Sequence, residues 1–142
     1  MKGFLLDTNI ISELVTRRPE PNVSQWVEST DETLLHLSVL TLGEIRKAVA
    51  RLPQARRRAE LETWLIKRLR SRFAGRILPI DADVAECWGN IAAEARSKNI
   101  HLPVIDGLLA ATALEHDLTF VTRNTRDVAG AGILVLNPWE KS

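Results

Sequence analysis

Short apolar runs alternate along this chain with longer stretches whose apolar residues recur every three or four positions. The runs 4–6, 34–37, 77–78, 119–121 and 133–136 have the length and the bulky or β-branched content of buried strands. The stretches between them read as helices. Ile10, Ile11 and Leu14 mark the first, which ends ahead of Pro19 and Pro21, and Val23, Trp26 and Val27 mark a short second. Leu42, Ile45 and Val49 form one stripe of a helix over about 40–52. Pro53 then breaks the chain before a long basic helix carrying Leu61, Leu65 and Leu69. Asp81 or Asp83 caps a helix on which Val84, Trp88, Ile91 and Ala95 recur at helical spacing. Pro103 opens another that runs to about His116 and is apolar nearly all round, the pattern of a helix buried on most faces.

This order predicts an α/β fold with a central, mostly parallel sheet, right-handed crossovers and a site at the carboxyl ends of the strands. No repeat, low-complexity tract or linker divides the chain, so residues 1–142 are expected to form a single domain, long enough to bury a core. No apolar run approaches the roughly 18 residues of a membrane span, and the apolar stretch before Asp7 is too short for a signal peptide. A lone cysteine, Cys87, offers neither an internal disulfide nor a thiolate metal site, which suits the cytoplasm. His36, His101 and His116 have no zinc-ligand spacing.

Charge is segregated. Between Arg46 and Arg76 stand eleven cationic residues and only Glu60 and Glu62 in opposition, a local charge of +9, while the rest of the chain carries −8. Such a segment is either a pair of solvated helix faces or a surface that tracks phosphates, and Arg46, Lys47 and Arg51 are its candidates for nucleic-acid contact.

Three acids sit where chemistry is expected. Asp7 ends the first strand and precedes Thr8 and Asn9, a position that opens into the ligand crevice but also suits a helix cap. Asp106 lies in the first turn of an otherwise apolar helix, where the helix dipole favours a carboxylate but burial penalises one. Glu44 falls about 100° from the centre of its helix's apolar stripe, at the edge of the buried face, where a salt bridge to Lys47 or Arg51 is the plainer reading. A polar run after the fourth strand, 122–127, holds Thr122, Asn124 and Asp127 at another strand end. Acids on three separate elements suit a hard divalent ion, which can acidify a water and stabilise in-line attack on a phosphodiester. No nucleophile elbow, P-loop or cysteine–histidine pair competes for the role.

With these residues assembled, the sequence resembles the PIN-domain ribonucleases, in particular the VapC-type toxins of toxin–antitoxin pairs. The resemblance rests on Leu5-Leu6-Asp7-Thr8-Asn9, Thr41-Leu42-Gly43-Glu44-Ile45, the run 106–113 beginning Asp106-Gly107, and Thr122-Arg123-Asn124. The run 73–79 and the ending Asn137-Pro138-Trp139 look most like the FitB subgroup. It implies a PIN fold, an α/β/α sandwich, and Mg²⁺- or Mn²⁺-dependent cleavage of RNA, commonly by a homodimer. It also implies a cognate antitoxin that blocks the site and binds promoter DNA, the toxin reaching DNA only through it. Asp7, Glu44 and Asp106 match the family's three core acids. On that resemblance Asp7 and Asp106 would ligate the metal, and Glu44 would complete the site or position the attacking water. Asn9, Thr122 and Asn124 would supply supporting hydrogen bonds. On the resemblance Asn124 occupies the position where relatives often carry a fourth acid, and Asp127 either compensates for it or anchors the loop. Two other readings compete: a catalytically silent module that grips RNA or an antitoxin, and an aspartate-nucleophile phosphatase of the haloacid dehalogenase type. The second normally wants an acid two residues after the nucleophile, where this chain has Asn9.

Overall fold

A computed structural model describes residues 2–140, the side chain of residue 66 excepted. Five strands form one sheet in the order β3-β2-β1-β4-β5, every neighbouring pair parallel. They are β1 (Phe4–Leu6), β2 (Leu35–Ser38), β3 (Ile77–Leu78), β4 (Thr119–Val121) and β5 (Val135–Leu136). The connection β1 to β2 runs through α1 (Thr8–Leu14) and α2 (Pro21–Ser29), with Pro21 at the first helical position, where its missing N–H costs nothing. From β2 to β3 the chain passes through α3 (Val39–Ala50), then α4 (Ala55–Thr63), a π-helical stretch (Trp64–Leu69) and α5 (Arg70–Arg72). The wider π turn keeps residues four apart on one side, and Leu65, Leu69 and Phe73 are all buried. Return to β4 is by α6 (Ala82–Ser97) and α7 (Val104–Glu115), and a 3₁₀ segment (Thr125–Ala131) leads to β5.

Strand periodicity divides the core between two faces. Leu6 and Val121 point with Leu35 and Leu37 into a cluster formed with α1, α2, α3 and the basic helix. Leu5 and Phe120 point the other way, to Leu109 and Ala113 of α7. Beyond them Val84 and Ile91 of α6 pack on Ala110 and Ala111. The result is an α/β fold on a parallel sheet, as the pattern predicts, layered as the α/β/α sandwich that the resemblance implies.

Boundaries moved where local chemistry dictated. Asp81 is the cap of α6, accepting from the Val84 amide at 2.9 Å, and Asp83 lies in its first turn. Residue 34 ends a 3₁₀ turn begun by Asp31 rather than joining β2, and β5 is two residues shorter than predicted. Both α6 and α7 stop on left-handed residues, Asn99 and Asp117, with the amides of Ile100 and Leu118 reaching back to Ala95 and Ala113 at 2.8 Å. That second stop turns the chain directly into β4. α7 is less enclosed than its composition implied, because Val104, Ile105 and Leu114 face solvent. No helix among the described residues is long and apolar enough to cross a membrane.

Candidate active site

β1 lies between β2 and β4, so the chain leaves the sheet centre in one direction for β2 and β3 and in the other for β4 and β5. Helices after adjacent strands then diverge at the carboxyl end of β1, and the gap is where ligands of such sheets bind. A crevice of about 450 Å³ occupies that place, lined among others by Asp7, Asn9, Glu44, Asp106, Arg123 and Asn124.

Asp7 is both a cap and a member of the site. Its amide donates to the Val121 carbonyl at 2.9 Å, extending the β1–β4 ladder by one bond. One carboxylate oxygen accepts from the Thr8 amide at 2.8 Å. The other accepts from the Thr122 hydroxyl at 2.7 Å and from Asn9 Nδ2 at 3.3 Å. Burial pushes the Asp7 carboxyl above its ordinary range, the bonds from Thr122 and Thr8 oppose this, and the charges of Glu44 and Asp127 add to the rise. Thr122 is itself buried and accepts from the Asn124 amide at 3.1 Å, while Asn9 Oδ1 accepts from the Arg123 amide at 3.4 Å. Asn9 and Thr122 thus tie the ends of β1 and β4 together around one carboxylate. An amide at Asn9 leaves no acid two residues beyond Asp7, so the phosphatase arrangement is missing its proton donor.

Glu44 makes no ion pair with Lys47 or Arg51. Instead the Thr8 hydroxyl donates to its Oε1 at 2.6 Å, with the Thr41 hydroxyl 3.3 Å from that of Thr8. Thr8 was not singled out from sequence, although its place beside Asp7 and its spacing to Ser12, which also lines the crevice, mark a polar face on α1. Asp106 projects from the first turn of α7, half-buried. Its pKa rises from 3.8 to about 6, by burial first and then by the charges of Asp127, Asp7 and Glu44. No cation is paired with Asp7, Glu44 or Asp106 among the described residues.

Asn124 lines the crevice, whereas Asp127 sits outside its wall, exposed, and acts on Asp7 and Asp106 through charge. The basic segment is partly occupied elsewhere. Arg46 pairs with Glu62 at 4.0 Å, Arg56 and Arg57 with Glu60, and Arg72 and Arg76 with Glu32. Lys47 and Arg51 continue along α3 away from Glu44, and none of Arg46, Lys47 and Arg51 lines the crevice. The cation that does is Arg123.

Oxygen donors without a counter-charge are chemically suited to a hard divalent ion. Among the described residues no three acidic, histidine or cysteine side chains form a ready-made cage.

Comparison with known proteins followed the same line. The family model of the PIN domain matches residues 4–130. The VapC ribonuclease Y4jK of Sinorhizobium fredii is 35% identical over 137 residues, covering 96% of this chain and 98% of the relative. Among solved structures, that of FitAcB from Neisseria gonorrhoeae superposes with a TM-score of 0.93 at 37% identity, covering 97% of this chain and 99% of the other. A toxin–antitoxin complex from Klebsiella pneumoniae superposes with a TM-score of 0.71 at 27% identity, covering 98% and 100%.

Proposed function

This chain belongs to the PIN-domain family, in the branch of VapC and FitB, and on that premise we propose that it is the ribonuclease toxin of a toxin–antitoxin pair. The observation that carries the proposal is the convergence of Asp7, Glu44 and Asp106 on one crevice without a paired cation, where burial first, and then the charges of Asp127, Asp7 and Glu44, raise Asp106 to about 6. Groups so arranged are stabilised by a bound cation and by little else.

Mg²⁺ or Mn²⁺, held by Asp7 and Asp106, would supply an acidified water and charge neutralisation at the scissile phosphate. The remaining work falls to side chains. Thr122 and Asn9 hold Asp7 in one rotamer, and Thr8 holds Glu44 with one oxygen turned to its hydroxyl. Glu44 thereby positions the attacking water and takes its proton as the water oxygen bonds to phosphorus and the opposite P–O bond breaks, the departing oxygen taking a proton from solvent. Asn124 is a neutral donor at the fourth corner, and Asp127 adds negative potential from outside. Exposed Lys47 and Arg51 guide the RNA backbone toward the crevice. A cognate antitoxin would silence the enzyme by covering the crevice, promoter DNA would be reached through that antitoxin, and the active chain would be a homodimer.

Purified chain, free of antitoxin, is expected to cut RNA with Mg²⁺ or Mn²⁺ and to stop on chelation. Asp7→Asn is expected to lower the rate by at least about 100-fold. Sequencing RNA ends after brief expression of each form identifies the cut. Equal cleavage by Asp7→Asn, or cleavage indifferent to chelator, would sink the proposal, and a chain that bound RNA yet never cut it would favour the silent module.

A further inference from the structure

Arg123 and Trp139 line the crevice without taking part in the carboxylate chemistry. Arg123 leaves the carboxyl end of β4 and Trp139 that of its neighbour β5, and the Arg123 guanidinium carbon lies over the indole, 5.2 Å from its centre. Arg123 is exposed, while Trp139 is half-buried and packs against the core. Their backbones are joined through Asn137, whose Oδ1 accepts from the Trp139 amide at 2.9 Å and whose Nδ2 donates to the Arg123 carbonyl at 3.5 Å. Asn22 Nδ2 donates to the Trp139 carbonyl at 3.2 Å, anchoring the pair to α2.

The charge of Arg123 is unspent. It shares a crevice with Asp7, Glu44 and Asp106, yet among the described residues it forms no ion pair with any of them. A guanidinium free to move in such a place would fold onto a carboxylate, and the attraction of the indole face opposes that collapse. What remains is an exposed planar cation beside the acidic centre, its guanidinium carbon held over the indole. A guanidinium in that state binds a phosphate through parallel N–H groups and stacks on an unpaired base.

We propose that Arg123, held over Trp139, is the subsite for the unpaired RNA nucleotide next to the scissile bond. Its N–H groups take that nucleotide's phosphate, and its face away from the indole takes the base. Trp139 is a positioning residue, which acts by keeping the guanidinium off the carboxylates. Because a base inside a duplex has no free face, the subsite selects single-stranded RNA. The inference rests on the ribonuclease reading and adds a contact that the three acids cannot make.

The test is binding of a short fluorescein-labelled single-stranded RNA of mixed sequence to the full chain, with chelator present to prevent cutting, followed by anisotropy. Arg123→Ala is expected to weaken binding about tenfold and to reduce the slope of log Kd against log salt by about 0.7, one phosphate contact. Arg123→Lys is expected to restore the slope but not the affinity, since an ammonium has no stacking face. Trp139→Phe is expected to keep most of the affinity and Trp139→Ala to lose it. With Mg²⁺ and cleavable RNA the Arg123→Ala loss is expected in KM, with kcat little changed. Unchanged affinity and slope in Arg123→Ala, in a wild-type chain that cuts RNA, would overturn the subsite and leave the ribonuclease standing. A wild-type chain that neither binds nor cuts RNA would overturn both. Full rescue by Arg123→Lys would overturn the stacking role.

Discussion

Asp106→Asn is expected to make the metal-free protein more stable while destroying its activity. The Asp106 carboxyl rises from 3.8 to about 6 because it is partly buried and faces the charges of Asp127, Asp7 and Glu44. In the unfolded chain it ionises near 3.8, so between that pH and about 6 the folded state binds the extra proton. Stability therefore falls as pH rises through this window, and the penalty is complete above it. A rise of that size corresponds to about 3 kcal/mol at most. The side chain is only half-buried, and solvent screening reduces the figure to about 1 kcal/mol. Asparagine keeps the shape and removes the charge, so at pH 8 the variant should melt about 3 °C higher for a domain of this size. The assay is thermal unfolding of chelator-treated protein at pH 5 and at pH 8. The wild type should lose stability between the two, and the variant should lose less. Adding Mg²⁺ at pH 8 should raise the wild-type melting point more than the variant's. A variant less stable than wild type at pH 8, or one with the same pH dependence, would refute the view that Asp106 is a strained, cation-seeking acid.

Other perturbations test separate parts of the structure. Thr8→Val removes the hydroxyl on Glu44, and should lower kcat about tenfold at unchanged stability, with Thr8→Ser recovering most of it in a steady-state cleavage assay. Gly3→Ala would place a Cβ 2.5 Å from the Leu34 carbonyl oxygen at a φ of +152°, a cost of at least about 2 kcal/mol by urea unfolding. Gly107→Ala would drive a Cβ to 2.9 Å from the Trp88 ring and separate α6 from α7, lowering stability by about 1–3 kcal/mol with a red shift of tryptophan fluorescence. Glu32, bonded by Arg72 and Arg76, has its carboxyl held below the usual 4.5, so its contribution is present at neutral pH and is lost as pH falls through that lowered value. For this exposed pair Glu32→Gln should cost no more than about 1 kcal/mol at pH 7, a difference that vanishes in an acid titration of the melting point.

Much of the fold was legible in the pattern because burial dictates it locally. The run 4–6 is apolar at every position since a central parallel strand is covered on both faces, and the 3.6-residue stripes of α3 and α6 report the single face each helix buries. Asp7 was legible for the same reason: it is the first polar residue after such a strand. Glu44 was weakly marked, because the bond that distinguishes it from a surface glutamate comes from Thr8, 36 residues away in the chain. Folding alone decided that Thr8 grips Glu44 rather than merely starting α1, and that Asp127 lies near enough to Asp7 and Asp106 to push both upward without lining the crevice. It also decided which cation the crevice holds. In the dense basic segment Arg46, Arg56, Arg57, Arg72 and Arg76 are paired with glutamates, and Lys47 and Arg51 lie outside the crevice lining, where they stay candidates for contact with an RNA backbone. The neighbouring of β4 and β5 brings Arg123, the one cation that lines the crevice among the described residues, onto Trp139 in the turn after β5. Periodicity carries the identity of the elements, since each is shaped by its own burial. The partners of a polar side chain are set by which strands lie side by side, and that is a property of the sheet order rather than of any local run.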